Sequence, residues 1–365
     1  MSIDLIISAI KAFLILGLLL TNTLLLIWLE RKVVAGMQAR VGPDRAGPFG
    51  IFQTVADAIK LLLKEQIMPL KADRAMYLLA PIIALVPSFL IFMIIPLGPD
   101  LNLEINGQNI NVPLVGADLN VGVLFFLALS SIAVYSVVLA GWSSGSKYPL
   151  LGGVRASAQM ISYEAAMGLS LVPVILYSGS MSMTEIVKSQ AGNLSSPIPF
   201  LDAIVSFIPK WNVFPQFVAF AIFFIASVAE VNRAPFDLVE AEQELVGGFH
   251  TEYSGFRFAM FFLAEYINMF NMCAITATFF LGGWLGPTFS NFLPPLISAF
   301  MPAFWLGVKT FGLLFIYVWI RATLPRLRYD QLMELGWKRL IPISLVWLIL
   351  TSIVLGIREF GFPWS

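Results

Sequence analysis

Residues 121–140 read Val-Gly-Val-Leu-Phe-Phe-Leu-Ala-Leu-Ser-Ser-Ile-Ala-Val-Tyr-Ser-Val-Val-Leu-Ala, with no charge anywhere in the stretch. As an α-helix it would extend about 30 Å, the thickness of the hydrocarbon layer of a bilayer. Seven more apolar stretches follow the same pattern, at 13–29, 77–95, 156–177, 215–229, 258–281, 304–320 and 340–355. The stretch at 215–229 is the shortest. The whole chain agrees: of 365 residues, 58% are apolar and 12% charged, against about 25% charged in soluble domains. The expected fold class is an all-α polytopic membrane protein of about eight transmembrane helices, a single membrane domain over 1–365. The first stretch reads as a retained anchor, because its basic residues follow it and no small-x-small site comes next.

Composition also excludes functions. Net charge is zero, which argues against nucleic acid as a partner. One cysteine, Cys273, cannot form an internal disulfide or an iron–sulfur or structural zinc site, and one histidine, His250, excludes bis-histidine haem. Any electron carrier belongs to a partner or is a diffusible substrate. Cys273 reads as a core residue and His250 as a loop histidine.

Lys and Arg sort the connections into two sides. Loops 30–76, 141–155, 230–257 and 321–339 hold 17 basic residues and the remainder of the chain holds five. This puts those loops in the cytoplasm and both termini outside. On the outer side, 101–112 alternates around Asn106-Gly107 and reads as a short β-hairpin. Residues 178–214 read as a Ser/Pro/Gly-rich loop with one short helix after Thr184. On the inner side, Gln53, Asp57, Lys60 and Lys64 recur at helical spacing, opposite Ile51, Phe52, Val55, Ile59, Leu62 and Leu63. That is an amphipathic helix, with two placements open: in the membrane interface, or packed against the bundle.

Acids fall where lipid disfavours them. Glu164 lies nine residues past Arg155, about 14 Å along a helix, and Glu265 eight past Arg257, about 12 Å. An ionised carboxylate at a helix centre costs about 2.5–3.5 kcal/mol, so such groups face protein or water, and proton pathways are the usual reason to keep them. Glu230 ends the fifth stretch, and Asp237, Glu240, Glu242, Glu244 and Glu252 follow. If 237–245 is helical, Asp237, Glu240 and Glu244 share a face. If it is extended, Glu240, Glu242 and Glu244 do. Both bring like charges together, and such a cluster can hold and pass a proton near neutral pH. Lys309 inside the seventh stretch is either a buried partner or snorkels outward. Trp142, Trp284, Trp319 and Trp337 near span ends fit an aromatic belt.

Four cytoplasmic blocks carry a resemblance: Glu30-Arg31-Lys32 with 38–48 and Ala56-Asp57; Gly141-Trp142, 146–148, Arg155-Ala156 and 161–164; 230–255, with Asn232-Arg233-Ala234-Pro235-Phe236-Asp237; and 321–337, with Pro325-Arg326 and 328–333. In order and over the whole chain they resemble the H-subunit family (the ND1-type membrane proteins) of proton-pumping NADH–quinone oxidoreductase, respiratory complex I. Asp44 and Gly145 depart from it where Asn is the family's residue. The resemblance implies a membrane component of the bacterial inner membrane with no redox centre of its own, not catalytic alone. NADH, FMN and the iron–sulfur clusters would belong to partner subunits. Quinone is the implied substrate, in a chamber shared with peripheral-arm subunits, one of which carries the terminal iron–sulfur cluster. Small and antiporter-like membrane-arm subunits are further implied partners. Carried across residue by residue, Glu30, Arg31, Asp57, Phe262 and Arg321 correspond to the quinone chamber. Glu164, Glu230, Glu240, Glu242, Glu244, Glu252 and Glu265 correspond to the proton path. The alternatives are the homologous anchor of an energy-converting hydrogenase or formate hydrogenlyase, which needs no quinone slot, an independent secondary transporter, which predicts inverted repeats, and a structural scaffold.

Overall fold

Long apolar helices dominate the computed structural model, which describes residues 3–105, 108–193, 209–237, 246–287 and 295–360. In chain order they are α1 Ile3–Met37, α2 Phe52–Leu63, α3 Arg74–Met93, α4 Gly122–Ser143, α5 Lys147–Ser178, α6 Met183–Ser189, α7 Phe217–Glu230, α8 Gly255–Phe280, α9 Pro295–Thr323, α10 Tyr329–Glu334 and α11 Ile341–Phe360. A π-helical turn, Leu335–Leu340, joins α10 to α11. Two strands, β1 Leu101–Ile105 and β2 Gln108–Val112, pair antiparallel with Leu101 opposite Val112 and Ile105 opposite Gln108. The intervening residues 106–107 lie outside the described residues.

Seven of these helical segments are long and apolar enough to cross a membrane. The stretch at 215–229 differs from the expected full span. Its helix has 14 residues, about 21 Å, which is short of the hydrocarbon thickness. Pro215 precedes it, and the Asn232-to-Pro235 turn follows it. At its N-terminal end the chain is irregular, and side chains meet several backbone groups that no helix pairs there. Gln190 Oε1 accepts from Asn212 N at 3.2 Å and Gly282 N at 3.0 Å. Gln190 Nε2 donates to Thr278 O, and Asn212 Nδ2 to Phe279 O, both at 2.9 Å.

The bundle is centred on α8, 61% of whose most apolar window is buried, against 22% for α1 and 17% for the 329–358 segment. α8 packs on α3 and α9, α3 on α4, and α5 on α4, α7 and α11. Phe126, Tyr163, Phe223, Phe279 and Phe280 are fully buried between these helices. Close approach is made by missing side chains. A Cβ at Gly141 would meet Pro149 O at 2.5 Å, and one at Gly152 would meet Gly248 Cα at 2.7 Å. The second contact seats the turn that carries His250 directly on α5.

Pro81 within α3 has no N–H for Tyr77 O. The Tyr253 hydroxyl donates to that carbonyl at 3.3 Å, while the two rings stack at 4.1 Å. Burial pushes the Tyr253 phenol up to about 12.

α2 exposes its apolar side: Phe52, Val55, Ile59, Leu62 and Leu63 are all solvent-facing in the isolated chain. α2 nonetheless packs on α1 and α8, so it rests against the bundle with that apolar face turned outward. The helix after Thr184 is α6, with Thr184 inside it. Trp142, Trp319 and Trp337 are more than half exposed, as belt residues should be, but Trp284 is only 6% exposed and belongs to the core.

Candidate functional site: an ion cluster between two cavities

Four charged side chains from four parts of the chain meet near the end of the bundle that carries the basic loops. Glu30 comes from α1, Arg233 from the turn after α7, Glu265 from α8 and Arg321 from α9. Arg233 Nη1 lies 3.2 Å from Glu30 Oε1, and Arg233 Nε lies 2.6 Å from Glu265 Oε1. Arg321 Nη1 also donates to Glu30 Oε1. The Arg233 guanidinium sits 4.4 Å from the centre of the Tyr266 ring. Glu30 and Arg233 are buried, at 5% and 6% exposure. Burying an ion costs several kcal/mol unless it is paired with good geometry, and here two carboxylates balance two guanidiniums.

The cluster divides two voids. On one side, Glu30, Arg31, Gln38, Arg40, Tyr266 and Arg321 line an open groove of about 1160 Å³. Arg31 continues the polar wall to α2, where Arg31 Nη1 lies 2.6 Å and Lys60 Nζ 3.4 Å from the carboxylate of Asp57. Partial burial of Asp57 would raise its pKa, but the hydrogen bond and charge of Arg31, with Lys60, outweigh it and hold the group below the ordinary aspartate value. On the other side, Glu230, Asp237, His250, Phe262, Glu265 and Asn268 line a cavity of about 680 Å³, its open mouth included. His250 stands edge-on among Phe249, Phe258 and Phe262 in its wall.

The structure therefore brings Glu30, Arg31, Asp57 and Arg321 together, while Phe262 faces the second cavity instead. Glu230 and Glu265 line the same cavity; Glu164 does not line it, but its charge lies near enough to act on Glu230. Glu164 is half-buried on the outer side of α5, where its Oε1 accepts from Ser130 Oγ at 3.1 Å and from Ser131 Oγ. It lines a separate shallow groove with Leu127, Ile161, Ala165 and Gly168. Glu252 sits in the turn before α8, its carbonyl accepting from the Tyr77 hydroxyl at 2.7 Å, and is not among the cavity-lining residues. Glu240, Glu242 and Glu244 lie outside the described residues. Lys309 does not snorkel. Its ammonium donates to the carbonyls of Leu281 at 2.6 Å, Gly283 at 3.0 Å and Leu285 at 2.6 Å, just past the end of α8.

Arg233 and Tyr266 were not among the residues assigned a role from the sequence. The signal for Arg233 was a lone cation three residues beyond Glu230, at the end of an apolar helix. A buried acid there needs a counter-ion. Tyr266 carried no signal beyond its place next to Glu265.

Such a bundle of long apolar helices, with a charge-balanced and partly buried ion cluster between two voids, defines a polytopic membrane protein. Comparison with known proteins makes the class specific. A family model described as NADH dehydrogenase matches residues 10–352. The chain is 46% identical over 366 aligned residues to the H subunit numbered 2 of the NADH-quinone oxidoreductase of Koribacter versatilis (strain Ellin345), covering 97% of this chain and 98% of that one. The chain belongs to the H-subunit family of NADH–quinone oxidoreductase.

Proposed function

We propose that the chain is the membrane component of proton-pumping NADH–quinone oxidoreductase that walls part of the quinone chamber and links quinone reduction to proton translocation. The observation that carries this reading is Arg233, whose guanidinium contacts Glu30 on the groove and Glu265 on the cavity. The quinone enters along the exposed apolar side of α2 and reaches the groove at Glu30, Arg31 and Arg321. It accepts two electrons from the terminal iron–sulfur cluster of a peripheral-arm partner, which is fed from NADH and FMN, and two protons complete the quinol. Negative charge developing on the head group attracts Arg31 and Arg321. At about 4 Å and an effective dielectric constant of about 20, one unit charge acts on another with about 4 kcal/mol. As Arg321 turns toward the quinone, Arg233 shifts its interaction toward Glu30. Glu265 then loses part of the Arg233 charge and takes up a proton. Glu230 exchanges protons with Glu265 across the shared cavity. Glu164, on the outer groove, hands them toward small membrane-arm subunits and the antiporter-like subunits beyond. Glu240, Glu242, Glu244 and Glu252 feed the cavity from the cytoplasmic loop.

The 17-to-5 distribution of basic residues supports a setting in the bacterial inner membrane with both termini outside and the basic loops under the peripheral arm. The test uses membranes containing the whole complex. Glu164→Gln and Glu265→Gln should each lower quinone-coupled proton pumping about ten-fold with assembly intact. A normal proton-to-electron ratio in both variants would sink the proton-path assignment. Photolabelling with a quinone analogue should mark the groove around Glu30 and Arg321, and a chain left unlabelled would defeat the quinone assignment.

A further inference from the structure

The cavity beside Glu265 contains two hydrogen-bond acceptors with no donor among the described residues. Glu230 is 5% exposed, and its Oε2 has no hydrogen-bond partner. Asn268 Oδ1 is likewise shielded and likewise without a partner. Both residues line the same void, together with Ser136 and Asn232. Ser136 commits its hydroxyl proton to Ala133 O at 2.6 Å, and although Asn232 and His250 also line the void, no hydrogen bond from either reaches Glu230 Oε2 or Asn268 Oδ1. Buried acceptors are nearly always matched by donors. A carboxylate oxygen and an amide oxygen on one void, neither accepting a hydrogen bond among the described residues, are an incomplete arrangement. A single proton on Glu230 completes it, because the acid O–H then has an acceptor in Asn268 Oδ1, either directly or through one water. Asn268 lies three residues beyond Glu265 on α8, so the two side chains are neighbours on one helix face.

We propose that Asn268 is a positioning residue of the proton path. Its amide oxygen takes the hydrogen bond of the proton carried on Glu230 and holds that proton on the side of the cavity that Glu265 occupies. When Glu265 receives the proton, the O–H bond on Glu230 breaks and its carboxylate remains. Asn268 fits both states, since an amide offers an oxygen to the acid and an N–H to the carboxylate. The inference rests on the proton-path reading above.

The test is infrared difference spectroscopy on the purified complex, oxidised against reduced, with coupled pumping measured in parallel. A carboxylic-acid C=O band lost in Glu230→Gln identifies the Glu230 proton. In Asn268→Leu that band should move to higher frequency, and pumping should slow about ten-fold, as expected for one lost hydrogen bond to an ionisable group. In Asn268→Ser, which keeps an acceptor oxygen, the band should shift less and pumping should be partly restored. If the Leu variant does not assemble, the band in the Ser variant decides. An unmoved band, or no band that depends on Glu230, overturns the inference. Normal pumping in Glu230→Gln overturns the proton-path reading itself. Loss of pumping there, with the Asn268 variants silent, overturns only the role of Asn268.

Discussion

Arg233 and Glu265 form a close ion pair, Nε to Oε1 at 2.6 Å, although one lies in a turn and the other within a membrane-spanning helix. The same guanidinium reaches Glu30, 203 positions away in sequence. One side chain thus answers to both a groove carboxylate and a cavity carboxylate, and a change at either is felt at the other.

Replacing Arg233 tests that dependence. Arg233→Met leaves Arg321 as the cation on Glu30 and removes the ion-pair partner seen for Glu265. Breaking a buried pair from one side costs about 3–5 kcal/mol. The variant should reduce assembled complex in membranes severely. Arg233→Lys keeps the charge but not the fork that reaches two acids, so it should assemble better than Arg233→Met while its quinone reductase activity stays well below normal. Full activity in Arg233→Lys would mean that the double contact has no role.

Asp57 gives a pH prediction with a definite sign. Its pKa in the folded chain is lowered, so its interaction with Arg31 is fully present above the unfolded value of about 3.9 and is lost only as pH falls through the lower folded value. Side-chain exposure of 46% for Arg31 and 24% for Asp57 limits the pair to at most about 1 kcal/mol. Asp57→Asn should therefore raise the KM for a short-chain quinone no more than about five-fold, by the same factor from pH 5 to pH 9. A ratio that changes within that window would show the group titrating there.

How much of this could be read from the sequence follows from what periodicity reports. Apolar runs such as 121–140 are local, and they located every long helix among the described residues. The amphipathic spacing of Gln53, Asp57, Lys60 and Lys64 is also local, and it located α2. Which helix faces which is not local. Arg321 meets Glu30 across 291 positions, and no spacing along either helix records it. Depth arithmetic put Glu164 and Glu265 at similar levels but not on different sides of the bundle, where Ser130 and Ser131 hold one and Arg233 the other. That α7 is short was legible in the run 215–229, but why it stops short was not. Its apolar run is continuous, and only the hydrogen bonds of Gln190 and Asn212 reveal that its outer neighbour is not helical.

Ser131→Ala probes the outer carboxylate without touching it. Glu164 Oε1 accepts from both Ser130 and Ser131, so losing one donor weakens the hold on the charged form by about 1.5–3 kcal/mol, the worth of a hydrogen bond to a charged group. Coupled pumping should fall about ten-fold in Ser131→Ala, with a further loss in the Ser130→Ala double variant. Pumping equal to wild type in the double variant would detach Glu164 from any role in proton transfer.

The Tyr253 hydroxyl and Pro81 should be energetically coupled. Tyr253→Phe removes the donor to Tyr77 O and should destabilise the complex by about 1 kcal/mol, seen as a lower Tm. Pro81→Ala supplies the backbone N–H that a helix normally aims at that carbonyl. In the Pro81→Ala background Tyr253→Phe should cost much less, and a double-mutant cycle on Tm measures the difference. Additive effects would show that the hydroxyl matters for something other than the freed carbonyl.

Lys309→Met tests the closing of the outer end of α8. The ammonium serves three carbonyls, of Leu281, Gly283 and Leu285, and also lies 4.4 Å from the Trp211 ring. A cation there complements the partial negative charge at a helix C-terminus. Met preserves the length and apolar stem but donates nothing, so acceptors lose their partner at about 1–3 kcal/mol for each one left buried. The segment around 281–287 should open, making it more sensitive to protease added to the purified complex, while quinone reduction by that complex continues. Lys309→Arg keeps donors at the site and should restore much of the protection. If cleavage in Lys309→Met matches wild type, the ammonium is not what closes that end of the bundle.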